Sequence, residues 1–270
     1  MKRGVVLDKN FLQGASADKV RALAASHRLI MPGALFYELM TTSPEVRRRC
    51  FSKLPQIENP VILVDHIGVL LAYEASRLRP AGQPSGHRIA IRFRFNEHLL
   101  LDDYVLPAEA QLAVDEQAKE VEQDVQRLID LSETIPRLFH TLLSGTSTER
   151  ASSRSRAEEA VSRVDEIHRF YSAMKASDGY PEHPRTFGKL GKWAHIRWLQ
   201  VLMLFAVDLH VRYQGRLRET LTSKTLVRLE HDIHDAQILA LGTLEGAIAT
   251  RELKLLRWWH LLNPNGGAMG

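Results

Sequence analysis

Acidic residues stand near both ends of this chain in settings where a carboxylate has no obvious structural task. Near the start, Val5-Val6-Leu7-Asp8-Lys9-Asn10-Phe11-Leu12 reads as a short buried strand that ends on Asp8. Near the finish, Asp232 and Asp235 open a regular apolar helix, and Thr250-Arg251-Glu252 follows it. Acids at a strand's carboxyl end, at a helix start and at a later strand end are how α/β folds gather ligands for a hard divalent cation. Phosphodiester hydrolysis suits such a pocket. It needs a deprotonated water in line with the leaving oxygen and a counter-charge for the transition state, and a divalent cation supplies both. Carboxylates crowded together repel one another without a cation. Magnesium keeps several waters and takes one or two carboxylates directly, so four or five acids would serve one or two ions, some of them through water.

The elements that must carry these residues follow from hydrophobic period and punctuation. In the first third, strands are expected over 5–7, 28–31 and 61–64, with helices over 17–26, 34–41 and 68–77, and this βαβα rhythm implies a parallel sheet. A Pro/Gly-rich loop follows at 80–86, then a strand with one wet face at 88–95. From 107 to about 226, helical spacing dominates. Helices are expected over 108–130, 157–176, 192–212 and 216–229, with a Ser/Arg-rich exposed linker at 144–156 and a loop at 179–191. The end returns to α/β: a helix over 234–244 closed by Gly246, a strand over 247–250, and a helix over 253–262 whose Trp258 and Trp259 belong to a core or an interface. The expected fold class is α/β, a three-layer α/β/α domain around a central parallel sheet. It would be formed by 1–104 and 227–270, with 105–226 inserted as an all-helical subdomain.

Bulk properties fit that scheme. A length of 270 residues at 44% hydrophobic composition supports a substantial core without covalent staples. The single cysteine, Cys50, excludes an intramolecular disulfide framework and a Cys-based zinc finger. The apolar run after Met1 stops at Asp8, too short for a signal sequence, and Asp208 and His210 interrupt the apolar stretch 199–211. A cytoplasmic protein with no membrane partner is expected. A net charge of +4 permits nucleic-acid binding. Basic residues cluster at Arg47-Arg48-Arg49, at Arg88, Arg92 and Arg94, at Arg150, Arg154 and Arg156, and at Lys189, Lys192 and Arg197.

Four segments together resemble the PIN domain family. They are the strand into Asp8-Lys9-Asn10-Phe11-Leu12, the strand Leu29-Ile30-Met31-Pro32 with a following helix that carries Glu38, the stretch Asp232-Ile233-His234-Asp235-Ala236 continuing to Leu239-Ala240, and Ile248-Ala249-Thr250-Arg251-Glu252. The resemblance covers 1–42 and 227–262, and the helical insertion is longer than a minimal member has. It implies a compact α/β/α nuclease dependent on Mg2+ or Mn2+. Asp8, Glu38 and Asp235 would be the principal acidic ligands and Asp232 a further one. Glu252 replaces the Asp that the family usually has in a Thr-x-Asp triplet, which lengthens the arm and favours contact through water. Asn10 would orient the first acid or hold the region of Thr250. The substrate would be single-stranded nucleic acid, RNA ahead of DNA, its backbone held by Lys and Arg of the insertion. The insertion is also the expected surface for a second copy or a protein partner.

Two other readings use some of the same residues. The doublet His231-Asp232 is similar to the His-Asp pair of HD phosphohydrolases, with His168, His195 or His210 as upstream candidates, but that site needs a later Asp and none follows Asp235. The alternative of another class is a catalytically inactive PIN-like scaffold that binds RNA or protein, and Glu252 is the residue that favours it. HEPN-type Arg/His spacing, a Walker loop and a nucleophile elbow find no support in the sequence.

Overall fold

The computed structural model describes residues 2–89, 97–175 and 190–270. Along the chain run β1 (Arg3–Leu7), α1 (Lys9–Gly14), α2 (Ala17–Ser26), β2 (His27–Pro32), α3 (Gly33–Thr41), α4 (Pro44–Phe51), β3 (Ile62–Val64) and α5 (Ile67–Arg77). There follow α6 (Ala108–Leu138), α7 (Ser147–Ser162), α8 (Val164–Lys175), α9 (Ala194–Arg212), α10 (Ser223–Glu245), β4 (Ala247–Ala249), α11 (Leu253–Leu262) and β5 (Gly267–Met269). Two compact units result. One is built from Met1–Leu70, Gly82–Ala118 and Gln237–Gly270, the other from Leu71–Ala81 and Lys119–Ala236.

The first unit holds a five-stranded sheet in the order β3-β2-β1-β4-β5, parallel throughout. Its central strands are apolar on both faces, as a sheet covered on both sides requires. On one face Val5, Leu7, Leu29, Met31, Ala247 and Ala249 join Phe11, Leu12, Val20, Leu35, Leu39 and Phe51 in a single core. On the other face Ile248 meets α10 and α11. A Cβ on Gly242 would stand 3.3 Å from Ile248 Cβ and 3.2 Å from Trp259 Cζ3, so glycine there lets the helix approach the sheet. Trp258 and Trp259 are fully buried and belong to the core. The strand order reverses between β1 and β4. Connections leave those two strands in opposite directions, the arrangement beside which open α/β sheets bind ligands, at the strands' carboxyl ends.

Several elements differ from expectation. The stretch 144–156, expected as a linker, lies mostly in α7. Its Ser/Arg composition hides a capping box, in which Glu149 N donates to Thr146 Oγ1 at 3.3 Å and Thr146 N donates to Glu149 Oε2 at 2.7 Å. Residues 223–229 of the helix expected at 216–229 and the helix expected at 234–244 belong to the single helix α10, so Asp232 and Asp235 stand within a helix and not at its start. Gly246 ends α10 as expected, at φ +95° with its N–H on Gly242 O at 2.8 Å. Helices α1 and α4 and strand β5 carry too little periodicity to be expected. Of the strand expected at 88–95, Arg88 forms an isolated bridge with Val64, and 90–95 lies outside the described residues, as does 179–189 of the expected loop.

In the second unit, α9 is the central helix. Among the described residues it is the one helix long and apolar enough to cross a membrane, and 78% of that stretch is buried inside the protein. Trp198 and Leu202 of this helix are buried, as is Trp193 at its N-cap. Its first turn is held by the fully buried Glu74, whose carboxylate accepts from Ala194 N at 2.7 Å, His195 N at 3.0 Å, His195 Nδ1 at 2.8 Å and Ala81 N at 2.9 Å. A buried anion here satisfies otherwise orphaned amides and complements the helix dipole.

Candidate metal centre

Asp8 follows β1 directly and stands at the N-cap position of α1, yet its side chain makes no cap hydrogen bond. It turns instead to the neighbouring strand, where Thr250 Oγ1 donates to Asp8 Oδ2 at 2.6 Å. Backbone pairing sets this approach, since Asp8 N donates to Ala249 O at 3.0 Å, and Thr250 N is tied to Met269 O of β5 at 2.9 Å. The Thr250 hydroxyl also accepts from Glu252 N at 3.1 Å, which leaves its own proton directed at Asp8.

Glu252 repeats the pattern. It occupies the N-cap position of α11 without capping it, and its Oε2 accepts from Asn10 Nδ2 at 3.1 Å. Two acids at helix N-cap positions thus decline their ordinary structural role and turn toward each other's strand. Glu38, buried on α3, brings the third carboxylate, with Lys9 Nζ 3.7 Å from its Oε1. Lys254 Nζ lies 3.9 Å from Glu252 Oε1. Sequence reasoning gave no role to Lys9 or Lys254. Their places one residue after Asp8 and two after Glu252 in the chain were the available signal.

Glu38 and Glu252 influence the ionisation of Asp8. The pKa of Asp8 rises from 3.8 to about 6 because burial penalises its charge, and Glu38 and Glu252 push it the same way. The Thr250 hydrogen bond pulls it down, as does the Asn10 amide, which lacks the geometry of a cap bond. All the donors here are oxygens of carboxylates, a hydroxyl and an amide, the set that suits Mg2+ or Mn2+ and not a thiolate-selected metal. Among the described residues, no three His, Cys, Asp or Glu side chains stand ready around one ion. Each acid instead has a partner within the chain: Thr250 for Asp8, Lys9 for Glu38, Asn10 for Glu252.

The other expected ligands lie on the part of α10 that belongs to the second unit. Asp232 is buried in an ion-pair chain: Arg212 Nη1 reaches its Oδ2 at 2.9 Å, Arg212 also holds Asp208, Arg154 Nη2 reaches Asp208 Oδ1 at 2.7 Å, and Arg154 Nε reaches Glu158 at 3.0 Å. The two aspartates outweigh the effect of burial and raise the Arg212 pKa well above its usual range. Asp232 therefore has a structural partner of its own. Asp235 is half-buried one turn further along α10.

Several of the expected basic residues have partners within their own unit. Arg47 is buried with Nη2 on Leu101 O at 2.6 Å, and Arg48 pairs with Asp102 at 2.9 Å. In the second unit, Arg154 is inside the ion-pair chain, and Arg197 donates to Gly191 O at 2.9 Å and Gln200 Oε1 at 3.0 Å. Arg92, Arg94 and Lys189 lie outside the described residues. His195 serves Glu74, and burial lowers the His210 pKa. The chain is an α/β protein with a parallel five-stranded sheet and acids at the reversal point of its strand order. No family model, curated protein or solved structure matches it.

Proposed function

We propose that this chain is a PIN-like nuclease that hydrolyses phosphodiester bonds of single-stranded nucleic acid, RNA ahead of DNA, with Mg2+ or Mn2+. The observation that carries this reading is the turning of Asp8 and Glu252 away from the helices they precede and toward partners across the carboxyl ends of β1 and β4. An acid kept 1% exposed at a penalty to its own ionisation is the mark of a group retained for chemistry. Asp8, Glu38 and Glu252 would hold the ion, exchanging their present partners for it. When bound, the ion would lower the pKa of a water and offset charge on the phosphoryl oxygens. Thr250 holds the Asp8 carboxylate in one orientation, and Asn10 does the same for Glu252. Lys9, beside Glu38, can offer its ammonium to a phosphate oxygen.

The test is cleavage of end-labelled single-stranded RNA and DNA with manganese, magnesium or chelator, by the native protein and by Asp8→Asn and Glu38→Gln. Metal-dependent cutting that both substitutions abolish supports the reading. No cutting of either polymer with any metal moves it to the inactive scaffold. Asp235, which the resemblance alone supports as a ligand, is judged in the same assay through Asp235→Asn.

A further inference from the structure

Helix α1 begins at the acidic pocket and ends under a group of cations. Lys53 Nζ donates to Leu12 O at 2.5 Å and Gln13 O at 2.8 Å, and Arg251 Nη1 donates to Gly14 O. Gly14 lies so close beneath the Arg251 guanidinium that a Cβ there would collide with it. Arg49, on α4, is exposed and, among the described residues, is the exposed member of its triplet that makes no ion pair. Burial chiefly disfavours the Lys53 ammonium, with Cys50 acting against that and Arg49 and Arg251 adding to it, so Lys53 lies within electrostatic reach of both arginines.

Cations at a helix C-terminus commonly serve its free carbonyls. That role accounts for only part of this group. Among the described residues, Lys53 uses two of its three N–H donors there and Arg251 one of its five, and Arg49 donates to none of these carbonyls. Converging cations with donors to spare suit an anion with several oxygens, spaced along a chain. The covalent path links them to the pocket: Arg251 sits between Thr250, which holds Asp8, and Glu252. Six residues of α1 separate the two groups, about 9 Å of helix.

We infer that Arg49, Lys53 and Arg251 form the phosphate-binding track of this protein, holding the backbone of a single nucleic-acid strand along α1 while one phosphodiester lies at Asp8. This rests on the nuclease reading and places the strand on the first unit, where sequence reasoning looked to the helical insertion. The contacts go to phosphates, so they bind without base preference.

The test is binding of fluorescently labelled single-stranded RNA of mixed sequence, and of its DNA counterpart, by anisotropy in chelator across a range of salt. Native protein is compared with Arg49→Gln, Lys53→Gln, Arg251→Gln, the triple variant, the charge-keeping Lys53→Arg, and Arg150→Gln on α7. Each cluster substitution is expected to flatten the slope of log affinity against log salt by about 0.7, and the triple by about 2. Lys53→Arg and Arg150→Gln should keep the native slope, and Lys53→Arg separates loss of charge from loss of fold. Native slopes in the cluster variants, with native protein still binding and cutting, overturn this inference and leave the proposed function standing. A flattened slope in Arg150→Gln alone moves the track to the helical unit. If native protein binds neither polymer, both readings fall.

Discussion

Thr250 Oγ1 donates a 2.6 Å hydrogen bond to Asp8 Oδ2, joining residues 242 positions apart at the carboxyl ends of adjacent parallel strands. The bond is local to the sheet but remote in the chain, and it fixes a carboxylate that burial would otherwise drive toward its neutral form. The acid is both costly to the fold and held in place by it. That combination makes the pocket testable without knowing a substrate.

Asp8→Asn should stabilise the protein at pH 8 in chelator. The unfolded chain releases the Asp8 proton near 3.8 and the folded chain near 6. Below 3.8 both states are protonated and the group costs nothing. As pH rises from about 4 through about 6, the unfolded state loses its proton first, so stability falls and then stays at a constant penalty. A shift from 3.8 to about 6 corresponds to about 3 kcal/mol at most. Denaturant midpoints of native and Asp8→Asn protein at pH 4 and pH 8 check this: the variant should gain ~1–3 kcal/mol at pH 8 relative to pH 4. A gain of the same size at both pH values would mean that the charge of Asp8 is not the source.

Manganese should reverse that balance. An ion that binds only the folded state stabilises it by about 2.7 kcal/mol at a hundred times its dissociation constant. Thermal melts of native protein with increasing MnCl2 are expected to rise, while those of Asp8→Asn and Glu38→Gln rise much less. Equal responses in all three would place the metal away from these acids.

Asp232→Asn should cost stability, about 1–2 kcal/mol, because it leaves Arg212 with Asp208 alone in a half-exposed ion pair. A double-mutant cycle with Arg212→Met isolates the coupling. If Asp232→Asn lost cleavage while keeping its melting point, Asp232 would be part of the site after all.

How far the sequence disclosed this structure depends on whether a signal was local. Apolar runs ending in an acid marked β1 and its Asp8, and Ala247-Ile248-Ala249 before Thr250 marked β4, because buried parallel strands are short and continuous. The partner of Asp232 was not legible: a helix-start reading of Asp232 and Asp235 needed a break before 234, and the polar run Glu230-His231-Asp232 looked like one. In the structure Glu230 and His231 are exposed on α10, while Asp232 is buried and turned to Arg212, twenty residues back in the chain. The strand β5 was hidden because Gly267-Ala268-Met269 has no strand preference and pairs only because β4 offers its edge. Glu74, four hydrogen bonds deep at the start of α9, gave no signal either, as a lone Glu in a helix reads as solvated surface.

Glu74→Ala should be the most destabilising of these substitutions, about 3–5 kcal/mol, since it strips the buried amides of Ala194 and His195 of their acceptor. Glu74→Gln, which keeps one carbonyl acceptor, should lose less. Urea midpoints of the three proteins order them. A midpoint for Glu74→Ala close to native would show that α9 can be capped without it.

Thr250→Val tests the bond itself. Valine keeps the β-branched shape that suits the buried strand end, but it removes the donor to Asp8 and the acceptor for Glu252 N. A hydrogen bond to a charged group contributes roughly 1.5–3 kcal/mol and a neutral one roughly 0.5–1.5 kcal/mol. Asp8 is ionised at pH 8 and protonated at pH 4, so the substitution should cost about 2 kcal/mol at the higher pH and about half that at the lower. The Asp8 titration, followed by carboxyl-carbon NMR, should move above its native midpoint near 6 because the larger of the two interactions opposing burial, with Thr250 rather than Asn10, is gone. An unchanged midpoint would mean that the hydroxyl does not reach the carboxylate in solution, and the orientation argued for Asp8 would then have to come from the Asn10 amide alone.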